Sequence, residues 1–98
     1  MRIKLEDAVQ AARADAARRM GVAVEPLVLL SAESVTWSDG SLGCPRPDMM
    51  YTQALVPGYR VRLRGPGGEM DYHASARGAL VLCPAGRAVD PLPGAVRY

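Results

Sequence analysis

The sequence predicts an α+β fold, one N-terminal helix packed on a four- to five-stranded antiparallel meander sheet. Three observations predict it. Apolar residues recur at spacings of three and four from Leu5 to Met20. Apolar and charged residues alternate on both sides of a glycine-rich turn between Tyr59 and Ala74. A nearly all-apolar run follows from Ala79 to Cys83. At 98 residues and 49% hydrophobic content, the chain can fill one core but not two. The expected organisation is a single domain over residues 1–84 with a Pro-rich C-terminal tail over 85–98.

The helix is expected over Leu5 to Met20, with Leu5, Val9, Ala12, Ala16 and Met20 on one face. Glu6 and Asp7 in its first turn and Arg18 and Arg19 in its last match the helix dipole, Asp15 can pair with Arg19, and Gly21 is a natural stop. The six alanines between Ala8 and Ala17 make a slim face suited to close packing on a sheet. Leu27 to Trp37, after Pro26, reads as a strand. Ser38 to Pro47 reads as a loop with its strongest turn signal at Asp39-Gly40, and Tyr51 to Val56 as a short strand interrupted by Pro57 and Gly58.

The next segment specifies its own pairing. If Gly65-Pro66-Gly67-Gly68 closes a hairpin, Arg64 faces Glu69, Arg62 faces Asp71 and Arg60 faces His73 on one side. Leu63 with Met70 and Val61 with Tyr72 then share the other side. A slip of one residue would set apolar against charged throughout, so this register is selected. The charged side is expected to be solvated and internally compensated, with His73 on a solvent face or edge beside Arg60. Ala79 to Cys83 is expected to be a central strand or one covered on both faces. The last fifteen residues, Pro84 to Tyr98, carry three prolines and no period, and Leu92, Val96 and Tyr98 can pin the tail to the body or to a second copy.

Composition excludes several classes. No apolar stretch is long enough to span a membrane, and the N-terminus carries acidic residues where a leader would need an apolar core. The expected location is the cytoplasm for the chain as written, and the periplasm or exterior if a leader was removed. Net charge is +2, and eleven of the twelve basic residues are arginine, while Phe and Asn are absent. This matches the codon bias of a GC-rich bacterial genome. Without a clustered basic face carrying aromatic platforms, no nucleic-acid partner is expected. Gly65 to Gly68 lacks the GK[ST] ending and the following helix of a phosphate loop, and no cofactor is expected.

The densest stretch is Trp37 to Pro45, WSDGSLGCP. It holds the only tryptophan and one of two cysteines; the other, Cys83, is also followed by proline. Cys44 and Cys83 can form a disulfide closing about 40 residues, which would contribute roughly 4 kcal/mol. Buried free thiols in a reducing compartment are the second reading, behind the disulfide. Two site readings compete with these. One is a zinc site of Cys44, Cys83 and His73 with Asp71 or water as fourth ligand, for which the paired spacing of structural zinc ligands is missing. The other is a Cys44 and His73 nucleophilic pair, which requires a depressed thiol pKa. Neither reading is favoured, so no catalytic or metal residue is assigned.

The pattern WSDGSLGCP, then Tyr51-Thr52-Gln53, Pro57-Gly58-Tyr59, Tyr72-His73 and Cys83 resembles a family of small uncharacterised bacterial proteins over roughly residues 35 to 83, and implies no activity. A looser resemblance is to cystatin-like and PepSY-type domains, which also place a helix before an antiparallel sheet. It makes the expected roll cystatin-like. Gln53-Ala54-Leu55-Val56-Pro57-Gly58 is similar to the QxVxG loop of cystatins but one residue too long. Inhibition of cysteine proteases is what that resemblance implies.

The expected function is therefore a non-enzymatic binding or accessory module with a cysteine-anchored loop and another protein as partner. Its expected binding residues are Ser41, Leu42, Gly43, Pro45, Arg46, Met49, Met50, Gln53, Pro57 and Gly58. Met49 and Met50 in a proline-stiffened loop suit docking, although methionines also serve as core fillers. A homo-oligomer through the tail or an edge strand is the third possibility.

Overall fold

Alternation of charged and apolar residues sets the central hairpin, and the rest of the sheet builds outward from it. The computed structural model describes residues 2–21, 23 and 26–93. Helix α1 spans Leu5–Met20, followed by strands β1 (Val28–Trp37), β2 (Val56–Gly65), β3 (Gly68–Ser75) and β4 (Leu80–Cys83). The sheet is antiparallel throughout, in the order β1-β2-β3-β4. In the β2-β3 hairpin Arg64 lies opposite Glu69, Leu63 opposite Met70, Arg62 opposite Asp71, Val61 opposite Tyr72 and Arg60 opposite His73. This is the register in which both faces agree.

The helix begins where Asp7 accepts a hydrogen bond from the Lys4 N–H at 2.8 Å, so a carboxylate sits at the positive end of the dipole. It ends at Gly21, whose φ of 65° lets its N–H turn back to the Ala17 carbonyl. The helix buries Ala8, Ala12 and Ala16 fully. Alanine permits close approach to the sheet, where these residues join Leu27, Val61, Leu63, Tyr72 and Ala74 in the larger core. Complete burial of Val61 and Leu63 contributes about 1.5–3 kcal/mol each. Two polar contacts fix the docking angle: Tyr72 donates to Asp15 at 2.7 Å, and Arg13 donates to the Leu27 carbonyl at 2.8 Å.

Two expectations about the sheet are corrected. Tyr51 to Leu55 is loop, and β2 starts at Val56 and runs through Pro57 and Gly58, giving four strands. Pro57 is accommodated because the ladder to β3 ends beside it at Gly58 and Ser75, so its missing N–H removes little. The second correction concerns the charged face, which is not left to solvent. It carries a second core of Val35, Trp37 and Leu42, flanked by Val56 and Val81. The loop after β1 and the segment after β4 lie over it, because these strands expose Val35, Trp37 and Val81 beside the charged residues.

The segment after Cys83 crosses that face as a strap. Val89 donates its N–H to the Gly43 carbonyl at 2.8 Å, and Leu92 donates to the Thr36 carbonyl of β1 at 3.0 Å. The chain thus returns from β4 to the opposite strand. Val96 and Tyr98, expected as pins for the tail, lie outside the described residues. No helix of the described residues is long and apolar enough to cross a membrane.

Candidate functional site: an anchored loop

Trp37, the last residue of β1, is fully buried, and its indole passes over β2 to reach β3. Gly58 makes the crossing possible. A Cβ there would lie 2.0 Å from the Ala74 carbonyl oxygen and 3.0 Å from Trp37 Nε1, filling the space through which Nε1 donates to that carbonyl at 3.0 Å. Beyond Gly58 the indole stacks on His73, with ring centroids 4.4 Å apart. Gly43 closes the other side of the indole, where a Cβ would come within 2.6 Å of the ring.

The turn over Trp37 is built from the residues after it. Asp39 accepts hydrogen bonds from the Ser41 N–H at 2.8 Å and the Ser41 hydroxyl at 2.6 Å. The Cys44 N–H then donates to the Ser41 carbonyl at 3.0 Å across Leu42 and Gly43, both with positive φ, 56° and 70°. Leucine in this region costs about 1–2 kcal/mol. Burial of the Leu42 side chain against Val35 and Trp37 offsets that, and the Leu42 carbonyl accepts from His73 Nδ1. A disulfide joins Cys44 to Cys83 on β4, 39 positions later.

Beneath the strap lies a charged cluster. Arg60 grips Asp71 with two bonds, Nε to Oδ1 at 3.0 Å and Nη2 to Oδ2 at 2.8 Å, and donates from Nη1 to Asp90 of the strap at 3.0 Å. Arg62, opposite Asp71 in the register, stays 3.9 Å away, so the ion pair forms on the diagonal. His73 Nε2 is 3.0 Å from Asp71 Oδ2 but is not aligned for a directed hydrogen bond. Burial alone would raise the Asp71 carboxyl, yet His73 and Arg60 together hold it well below the usual carboxylate range. Expected at the surface, His73 is fully buried and Arg60 only 8% exposed. Both are covered by segments distant in sequence.

The structure divides the expected binding residues in two. Ser41, Leu42, Gly43 and Gly58 are buried and act as anchors, and Pro57 belongs to β2. Arg46, Met49, Met50 and Gln53 lie exposed on the loop, beside the partly covered Pro45. Met50 is 97% exposed, Met49 49% and Leu55 63%. Leu55 lies within the Gln53 to Gly58 segment expected to share the binding surface. The loop is closed at its base by the Gly40 N–H donating to the Thr52 carbonyl at 2.9 Å and internally by the Arg46 N–H donating to the Tyr51 hydroxyl at 3.0 Å.

The competing site chemistries meet different surroundings. Cys44 and Cys83 are joined, so in this state neither sulfur offers a thiolate. His73 turns one ring nitrogen to the Leu42 carbonyl and the other toward Asp71. Among the described residues no group of three or more His, Cys, Asp or Glu side chains is placed to hold a metal ion. Of the cystatin-like segment, Gln53 to Leu55 is loop, whereas Val56, Pro57 and Gly58 pair with Trp37, Thr36 and Val35 of β1.

A family model described as Domain of unknown function (DUF8738) matches residues 9–83, from within α1 to the second disulfide cysteine, and the chain belongs to that family. No curated protein and no solved structure matches the chain.

Proposed function

We propose that this member of the DUF8738 family is a non-enzymatic protein-binding module whose working surface is the loop from Arg46 to Leu55. One observation carries the reading: Met50, Met49 and Leu55 stand exposed on a segment whose two ends are fixed by a disulfide and by backbone hydrogen bonds. Methionine is polarizable and adapts to a partner surface, and fixing the backbone beforehand removes part of the ordering cost of binding. The residues of the WSDGSLGCP stretch and their counterparts Gly58, His73 and Cys83 then form the scaffold of the loop, and their side chains carry no chemistry of their own.

The test is a photo-crosslinking amino acid placed at position 50 in the source cell, with position 10 on the exposed side of α1 as control. A discrete protein adduct at position 50, absent at position 10 and competed by the purified unlabelled domain but not by its Met50→Asp variant, is the expected result. Identical adducts at both positions, or equal competition by the variant, would remove the reading.

A further inference from the structure

The apolar loop runs directly into a groove of fixed shape. Leu42, Leu55, Val56 and Ala79 line it together with Arg2 and Arg77. The groove has a volume of about 950 Å³, the size of pockets that hold a drug-sized ligand. Its lining is pinned at the backbone. The Gly40 N–H donates to Thr52. The Ile3 N–H donates to the Ala76 carbonyl at 2.8 Å and the Ala76 N–H to the Pro57 carbonyl at 2.9 Å. The Ser75 hydroxyl accepts from the N–H groups of Arg77 and Ala79. The backbones carrying Arg2 and Arg77 are therefore positioned before any ligand arrives.

Charge separates this groove from an ordinary apolar crease. Neither Arg2 nor Arg77 is in an ion pair among the described residues, where the paired arginines are Arg18, Arg19, Arg60 and Arg62. Among the described residues no acidic side chain lines the groove. A second cleft has Arg46 and Arg87 beside Pro45, Pro47 and Pro84, again with no acidic side chain among the described residues of its lining. Of the two acidic residues of the loop, Asp39 is turned onto Ser41 and Asp48 lies outside both linings; Asp7, near Arg2 in sequence, accepts from the Lys4 N–H, and Asp90, near Arg87, accepts from Arg60.

We infer that the groove between Leu55 and Arg77 binds an extended peptide segment of the partner that alternates apolar side chains with carboxylates. The apolar side chains seat against Leu42, Leu55 and Val56, and the carboxylates meet Arg2 and Arg77. This rests on the loop being a protein-binding element and names the chemistry of what it binds. A peptide fits better than a nucleic acid, because the exposed large side chains here are Met and Leu, which give bases no aromatic platform.

The test titrates the full chain, as an isotope-labelled oxidised sample, with a capped octapeptide alternating leucine and glutamate. The controls are the same peptide with lysine for glutamate and an octathymidylate. Saturable amide shifts confined to residues 40–42, 55–56 and 75–79 with the glutamate peptide alone are expected. Arg2→Glu/Arg77→Glu should weaken that binding by roughly tenfold or more at an unchanged unfolding midpoint, and Leu55→Ser should weaken it without charge change. Absence of saturable shifts, shifts scattered over α1, equal binding of the lysine peptide, or tighter binding of the oligonucleotide would each overturn the inference. Failure of the two readings is separable. If the position-50 adduct persists in Arg2→Glu/Arg77→Glu, the groove assignment falls and the loop reading stands. If the peptide binds the groove while Met50→Asp leaves partner capture unchanged, the loop reading falls.

Discussion

Gly58 shows how much one absent methyl group decides. Its missing Cβ lets Trp37 cross β2, donate to Ala74 and stack on His73, so the loop above the indole depends on it. Gly58→Ala should lower stability by about 1–3 kcal/mol, seen as a lower urea midpoint; an unchanged midpoint would show that the indole crossing is not needed. Asp71 carries the pH dependence. Its carboxyl ionises in the folded protein well below its usual range, so the unfolded chain takes up the proton first as pH falls. The stabilisation is present above about pH 4 and is lost progressively below it. Urea midpoints between pH 6 and pH 2 should fall more steeply for the native chain than for Asp71→Asn, which starts lower because Arg60 and His73 lose their shared partner. Parallel slopes would contradict this assignment. None of these contacts was legible residue by residue: His73 and Arg60 read as surface groups because the cover over them comes from positions 39–44 and 84–92.

At the scale of elements, legibility followed locality. The helix from Leu5 to Met20 and the β2-β3 register were readable because their signals lie within a turn or across a four-residue loop. The helix face differs by one position near its start, Ala8 being fully buried where Val9, only partly buried against the core, was expected. The strand expected over Tyr51 to Val56 failed for a physical reason. Thr52, Gln53, Ala54 and Leu55 are exposed, and ladder pairing with β1 begins only at Val56, the Gly40 N–H closing the loop on the Thr52 carbonyl before it. The loop's anchor was the other legible piece, since the spacing of the two Cys-Pro pairs left a disulfide open. Replacing both cysteines by serine should cost roughly 4 kcal/mol, read from denaturant unfolding. By contrast, Met50→Asp should change stability by less than about 0.5 kcal/mol, since its side chain is 97% exposed. A large loss in that variant would mean that Met50 is a packing residue.

The whole molecule is a sheet with different covers on its two faces, helix α1 on one and a loop with a strap on the other. The second cover was not legible because its parts are short, proline-rich and without period, and only the three-dimensional return of the chain brings Val89 to Gly43 and Leu92 to Thr36. It also explains why the uncommon residues of this chain occur in several separate clusters. Trp37, Gly43, Cys44, Gly58, His73 and Cys83 come from five segments and meet under one loop. The body of the protein holds this loop, and amide hydrogen exchange at Gly40, Cys44, Val89 and Leu92, each an N–H donor in the anchor or the strap, measures that hold. In the oxidised protein these amides should be protected to a degree comparable with the interior of β2, while Met50 exchanges freely. Exchange of all four at the unprotected rate of Met50 would contradict the account.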